Sequence, residues 1–286
     1  MPRAGGRTHA RDLPPPCPVE RDRVVSRVAR LSIAPVRSLA LEHPEEIMLT
    51  EHGVAEDRRF YLIDERGFLV DRVVVGQLAQ AAGHTDPDAT MLRIELPGGE
   101  VLEGDVELGG PIETQLHGRV AVGHEVIGPW GEALSPLAGR AVRVVRTDRI
   151  GGTREGNAAS LLSQGSLDEL ARQAGVTSVD PRRFRMLIDL DGTVPHEEDD
   201  WIGGRIAIGE AILRVTARDG RCAITTQDPD TGERDLDTLR TILAYRGAMP
   251  DSKGAPKAMF GVLADVERPG RIRVGDVVQV LGSVTT

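Results

Sequence analysis

Short runs of β-branched residues, cut every few positions by glycine or proline, constrain this chain more than any other feature. Its 286 residues include 33 glycines and 18 prolines, with Val, Ile and Thr recurring between them in short stretches. Such punctuation is what an antiparallel β protein needs at its turns. Ala29, Leu31 and Ile33 alternate with Arg30, Ser32 and Ala34 before Pro35 stops the run. Residues 60–63 and 68–70 flank Asp64-Glu65-Arg66-Gly67, a four-residue hairpin connection with glycine where positive φ is wanted. Leu92, Ile94 and Leu96 alternate again ahead of Pro97-Gly98-Gly99. Aromatic residues are only 3% of the chain, so Val, Leu, Ile and Ala must build the core. The expected fold is mainly β with a few helices, closed or nearly closed into a barrel, and shows no internal repeat.

The pattern divides the chain into three stretches. Residues 1–24 are polar, basic at the start and broken by Pro14-Pro15-Pro16, which predicts a disordered leader, with a short transit peptide as the alternative. Residues 25–150 read as a compact β-rich unit with few helices. Residues 151–284 read as a β-barrel domain. Within it Ser166-Leu167-Asp168-Glu169 predicts a capping box opening a helix that Gly175 ends. Strands are predicted at 184–188, 205–208, 211–216 and 222–226. Leu236, Leu239 and Leu243 mark a second helix, and strands at 260–266, 271–274 and 277–281 follow.

Composition narrows the function. A net charge of −9 argues against a nucleic-acid binder, whose affinity comes mostly from phosphate contacts. No run approaches the roughly 20 apolar residues of a membrane helix, and no secretory signal is visible, so a soluble cytoplasmic protein is expected. Cys17 and Cys222 are the only cysteines, too few for a disulfide framework or an iron–sulfur cluster. Lys253 and Lys257 are the only lysines, so nearly every cation is an arginine, the residue that grips phosphate bidentately.

Cys222 carries the most chemistry. It heads Cys222-Ala223-Ile224-Thr225-Thr226-Gln227, ahead of the turn Asp228-Pro229-Asp230-Thr231-Gly232. A thiol beside Arg218 and Arg221 suits a soft-metal ligand or a nucleophile, while packing into a core is the plain alternative. Asp228 and Asp230 are weak acid–base candidates, since a tight turn demands such residues anyway. Arg37, Arg58, Arg59, Arg72, Arg182, Arg183 and Arg185 sit near strand ends and could converge on one anion. There is no P-loop or dinucleotide fingerprint, and the histidines lack paired metal spacing; His196, in the acidic loop 194–200, is the best placed of them.

The Cys222 run, residues 236–246 and the ending Phe260-Gly261-Val262 … Pro269-Gly270-x-Ile272-x-Val274-Gly275-Asp276 resemble the MOSC domain. Pro35-Val36-Arg37-Ser38, Gly53-Val54-x-x-Asp57-Arg58 and Asp64-x-x-Gly67 resemble the β-barrel preceding MOSC in amidoxime-reducing enzymes. Residues 26–283 share the likeness, which implies a molybdenum cofactor ligated by Cys222; pyridoxal phosphate is not expected. It also implies phosphate contacts from Arg37, Ser38 and Arg58, further contacts at Ser166 and Arg185, and a cofactor-side role for Arg221. The family's Phe-Arg-Pro-Asn segment reads here Phe184-Arg185-Met186-Leu187, so one usual polar contact is missing, and Arg37 stands where many relatives carry lysine. The implied activity is reduction of small N-hydroxylated compounds (amidoximes, hydroxylamines, N-hydroxylated bases). Electrons would come from a separate donor protein of ferredoxin, flavin-reductase or cytochrome type. The alternatives are a non-catalytic cofactor carrier or store, and a sulfur carrier working through Cys222.

Overall fold

The protein is described by a computed structural model covering residues 26–116, 118–153, 157–251 and 254–283. The leader 1–24 with Cys17, together with His117 and Lys253, lies outside the described residues. The fold is β-rich, as the alternation requires. Its largest sheet has seven strands in the order Arg27–Leu31, Ile188–Asp191, Ala159–Ser163, Met259–Arg268, Ala211–Gly220, Gly204–Ile208 and Val278–Ser283. An antiparallel bridge between Arg27 and Val277, with Val28 N–H donating to the Asp276 carbonyl (2.9 Å), brings the two outer strands together. The sheet therefore curls toward a barrel around Leu31, Leu161, Ile206, Leu213, Val262 and Ile272.

A five-stranded antiparallel sheet holds Leu69–Val70, Phe60–Asp64, Val142–Thr147, Arg119–Ile127 and Glu107–Leu116. With the meander Ala82–Thr85, Met91–Glu95, Val101–Asp105 it encloses a second core of Phe60, Leu62, Leu78, Leu92, Trp130 and Val144. The hairpin after Phe60–Asp64 is as the sequence predicts, with Gly67 at φ 81°. Strands cross between the two halves of the chain. Arg27–Leu31 pairs with Ile188–Asp191, and Glu46–Thr50 with Gly270–Arg273.

There are three helices among the described residues: α1 (Trp130–Ala138), α2 (Gln164–Ala174) and α3 (Thr238–Arg246). The sequence reading anticipates α2 and α3 but not α1, whose single stripe Trp130, Leu134, Ala138 is masked by Gly131 and Pro136. Helix α2 ends at Gly175 in the left-handed conformation, as expected, but starts three residues early. Its cap is Ser163, whose hydroxyl accepts from the Ser166 N–H at 3.2 Å. The supposed box partner Glu169 turns outward to Arg172 and Gln173 instead.

One predicted strand is absent and another is displaced. Residues 223–226 form a 3₁₀ turn headed by Cys222. The threonines that suggest a strand donate their hydroxyls to carbonyls three residues back, Thr225 to Cys222 (3.1 Å) and Thr226 to Ala223 (2.8 Å), which closes the turn. Similarly, Asp180 caps the 3₁₀ segment Pro181–Phe184, with proline at its first position, so the strand here begins only at Ile188.

Candidate functional site

Arg185 lies at the centre of the site. It follows the Pro181–Phe184 turn in the left-handed region, φ 54°, and is partly exposed as a whole. Its two terminal guanidinium nitrogens, however, are shut off from solvent and have no hydrogen-bond partner. Burial first, and then the charges of Arg72, Arg58 and Arg37, hold this guanidinium well below its ordinary pKa; Asp57 opposes them. Arg37, Arg58 and Arg72 thus crowd Arg185, with Asp57 opposing them.

Hydrogen bonds fix the others around it. Asp57 is fully buried; it accepts from the Ala34 N–H at 2.8 Å and pairs with Arg58. Arg58 Nη2 donates to the Arg185 carbonyl at 3.3 Å. Thr153, also fully buried, donates its hydroxyl to the Arg58 carbonyl (2.8 Å), while its own carbonyl accepts from Arg37 Nη1. Ser38, next to Arg37, is buried at φ 78°. Among the described residues, positive φ outside glycine occurs at Ser38, Arg58, Ala89, Arg185 and His196. Three of these five are residues of the site, and each costs on the order of 1 kcal/mol.

Cys222 is free and exposed, so the core-packing alternative does not apply to it. The residue before it explains its position. Arg221, 9% exposed, donates to the Phe184 carbonyl and to Met186 Sδ (3.1 Å), pairs with Asp219, and lies 5.3 Å from the Phe184 ring centroid. Cys222 and Arg185 are therefore each one residue beyond this Arg221–Phe184 contact. Arg221 acts as a brace between them, and its terminal nitrogens face Phe184, Met186 and Asp219.

Ser166 is not brought to the arginines by any hydrogen bond. Its hydroxyl donates to Glu198 Oε1 at 2.7 Å and accepts from the His196 N–H at 2.9 Å. Ser163 donates to Glu198 Oε2 at 2.7 Å. Burial raises the pKa of Glu198 while these hydroxyls pull it back. The start of α2, which the resemblance assigns to the cofactor, is thus met by an internal carboxyl. His196 accepts from Arg246 at Nδ1 (2.8 Å) and stacks near Tyr245, with burial and Arg246 lowering its pKa.

The remaining candidates are taken up by ion pairs and turns. Arg182 forks onto Asp230 at 2.7 and 2.9 Å, and Arg183 onto Asp235 at 2.6 Å twice. Arg59 donates to the Ala55 and Pro87 carbonyls. Asp228 accepts from the Thr231 and Asp230 N–H groups, which lower its pKa and keep it ionised, so it is a poor proton donor at neutral pH. Thr153, Asp57 and Gln227 enter the site without having been singled out in the sequence. The Asp57-Arg58 pair is the one local signal that could have found Asp57.

Comparison with known proteins shows the family of the chain. Residues 25–126 match the MOSC N-terminal beta barrel domain, and residues 139–279 match the MOSC domain. Over 125 residues the chain is 35% identical to mitochondrial amidoxime-reducing component 1 of Mus musculus, covering 43% of this chain and 36% of that protein. It is 35% identical over 121 residues to mitochondrial amidoxime reducing component 2 of Bos taurus, 41% of this chain and 35% of that protein. Molybdenum cofactor sulfurase of Drosophila grimshawi is 27% identical over 236 residues, 76% of this chain and 30% of that protein. The matches thus span about a third of these relatives' length.

Proposed function

The chain belongs to the MOSC-domain family, and from that premise we propose that it holds a molybdenum cofactor and reduces small N-hydroxylated compounds. The observation that carries this reading is Arg185. A buried cation with two unpartnered nitrogens, crowded by three further arginines, is a receptor lacking its anion. The phosphate end of a pyranopterin has the chemistry to fill it. Arg37, Arg58 and Arg185 would hold that end, with Ser38 bending the backbone around it. Cys222 would provide the thiolate, a soft donor suited to a heavy transition metal, from a solvent-exposed turn open to substrate.

When bound, the cofactor supplies the two-electron reduction that breaks the N–O bond; two protons enter and water leaves. This chain's residues bind and orient the cofactor. Arg221 fixes the spacing between Cys222 and the arginine cluster, and the pairing of Arg182 with Asp230 keeps the following turn shut. The electrons would come from a donor outside these 286 residues, whose two cysteines cannot hold an iron–sulfur cluster. The names of the amidoxime-reducing relatives support the substrate class.

The same exposure of Cys222 also suits a carrier that passes the cofactor on. The deciding experiment compares wild type and Cys222→Ala, expressed in cells that make the cofactor, for molybdenum content and for benzamidoxime reduction with an artificial reductant. Loss of metal and turnover in the variant is expected. Metal without turnover in the wild type indicates the carrier, and unchanged metal in Cys222→Ala overturns the ligand assignment.

A further inference from the structure

Arg72 heads the described chain's fully buried side chains in size, at 2% exposure. Burying a guanidinium is costly, and its pKa falls to about 10 through burial, with Asp228 opposing and Arg183 adding to the fall. Its hydrogen bonds show what the cost sustains. Nε donates to Gln227 Oε1 at 3.2 Å, Nη2 donates to the Asp228 carbonyl at 2.7 Å, and Gln227 Nε2 returns a bond to the Arg72 carbonyl at 2.8 Å. This is a reciprocal tie between residues 155 positions apart. Gln227 is itself 2% exposed.

The contact continues along both segments. Gln80 donates to the Thr231 carbonyl at 3.2 Å, and a Cβ on Gly76 would lie 2.2 Å from the Gly232 carbonyl oxygen, so the two backbones touch. Residues 72–80 therefore clasp residues 227–232. Only the single 3₁₀ turn 223–226 separates that clasped segment from Cys222.

We propose that Arg72 is a positioning residue for Cys222: by locking Gln227 and the Asp228 carbonyl it fixes the turn that presents the thiol, in register with the arginine cluster. This rests on the reading of Cys222 as a metal ligand. An arginine adding only charge to the cluster would not need the Gln227 side chain, which provides the test.

The full chain is prepared with Cys17→Ser, leaving Cys222 as its one thiol, in cells that make the cofactor. Gln227→Ala cuts the tie but keeps every charge, Arg72→Lys keeps the charge but loses the fork, and Arg72→Met loses both. Hydrogen exchange is followed in residues 223–232 and, as control, in the strand Met259–Arg268; alkylation of Cys222 by iodoacetamide is followed alongside. All three variants should speed exchange in 223–232 by about ten-fold, leave the control strand unchanged, and speed alkylation of Cys222 relative to wild type, in which the bound metal would shield the otherwise exposed thiol. The proposal is overturned if Gln227→Ala matches wild type, if Arg72→Lys rescues fully while Arg72→Met does not, or if the control strand loosens equally. Should Arg72 variants fail to fold, Gln227→Ala alone decides. If the wild type carries no metal, the proposed function has failed, and the exchange pattern still determines whether the clasp holds the turn.

Discussion

Replacing Arg185 by methionine should make the protein more stable in the absence of cofactor. The two terminal nitrogens of Arg185 are buried without partners, and each such group costs about 1–3 kcal/mol. They belong to one delocalised cation, so their costs are not independent, and roughly 2 kcal/mol is a reasonable combined figure. Methionine keeps an unbranched stem in the same space and removes repulsion from Arg72, Arg58 and Arg37. At about 2–4 °C per kcal/mol for domains of this size, the variant should melt on the order of 5 °C higher. Anion reverses the order. Inorganic pyrophosphate at about a hundred times its dissociation constant would add roughly 2.7 kcal/mol to wild type and far less to a variant lacking the central cation. The assay is thermal unfolding by circular dichroism on protein from cells that do not make the cofactor, with sodium chloride matching ionic strength. A variant that melts below wild type without anion, or a wild type indifferent to pyrophosphate, would refute the argument.

Asp189 makes a second test. Its carboxyl pairs with Arg30 at 2.7 Å, yet burial outweighs that pair and pushes its pKa up to about 6, from an ordinary 3.8. Folding therefore favours the protonated form, and that stabilisation is complete below pH 3.8 and lost as pH rises through 6, a swing of up to roughly 3 kcal/mol. Asp189→Asn should match or exceed wild-type stability at pH 7.5 and fall behind as pH drops toward 4, measured by urea unfolding across pH. A variant that is weaker at pH 7.5 and gains on wild type in acid would show that the Arg30 pair dominates. At the start of α2, Ser163→Ala removes the cap and one of the two hydroxyls on Glu198, leaving Ser166 on the other oxygen, for a loss of about 2 kcal/mol in urea unfolding. Glu169→Ala should cost nothing measurable, and the opposite ranking would restore the capping box read from the sequence.

What the sequence reveals follows the range of the interaction. The Asp64–Gly67 turn depends on neighbours along the strand, so it is legible and recurs in the fold. The alternation read from Ala29 does not: a register shift between Val28 and Arg30 turns Val28 inward and Ala29 outward, and Ser32 and Ala34 are buried with Ile33. The start of α2 is misread because Glu169 finds Arg172 three residues on before it can reach back to the cap. Thr225 and Thr226 are misread because a β-branched residue that favours strands can equally bond a carbonyl three residues behind. The arginines are only partly legible: Arg182 has a local partner in Asp180, two residues before it, besides Asp230 48 positions away, but no local pattern shows that the terminal nitrogens of Arg185 are buried without partners. Cys222, Arg37, Arg58 and Arg185 stand out from their residue types and places, while Ser38 and the role shared by the set come through the resemblance. Thr153, which joins Arg37 to Arg58, and Gln227, which holds Arg72, have no such signal.

The most informative property of the site is how many local rules it breaks at once. Ser38, Arg58 and Arg185 all hold backbone conformations that disfavour side chains, four guanidinium groups repel one another, and a buried cation is left unpaired. Apart from Ala89 and His196, which also hold positive φ, the local preferences of the helical segments and strands are met elsewhere. Asp180 and Asp237 cap their helical segments, Gly139 and Gly175 end theirs, and hydrophobic residues alternate inward along the strands. Strain spread at random would be worn down by substitution, since most changes at these positions would stabilise the free protein. Strain gathered around Arg185, next in sequence to the Phe184 that Arg221 holds, is what an anionic ligand would offset on binding. On the function proposed above, the other end of that ligand would meet the exposed thiol of Cys222.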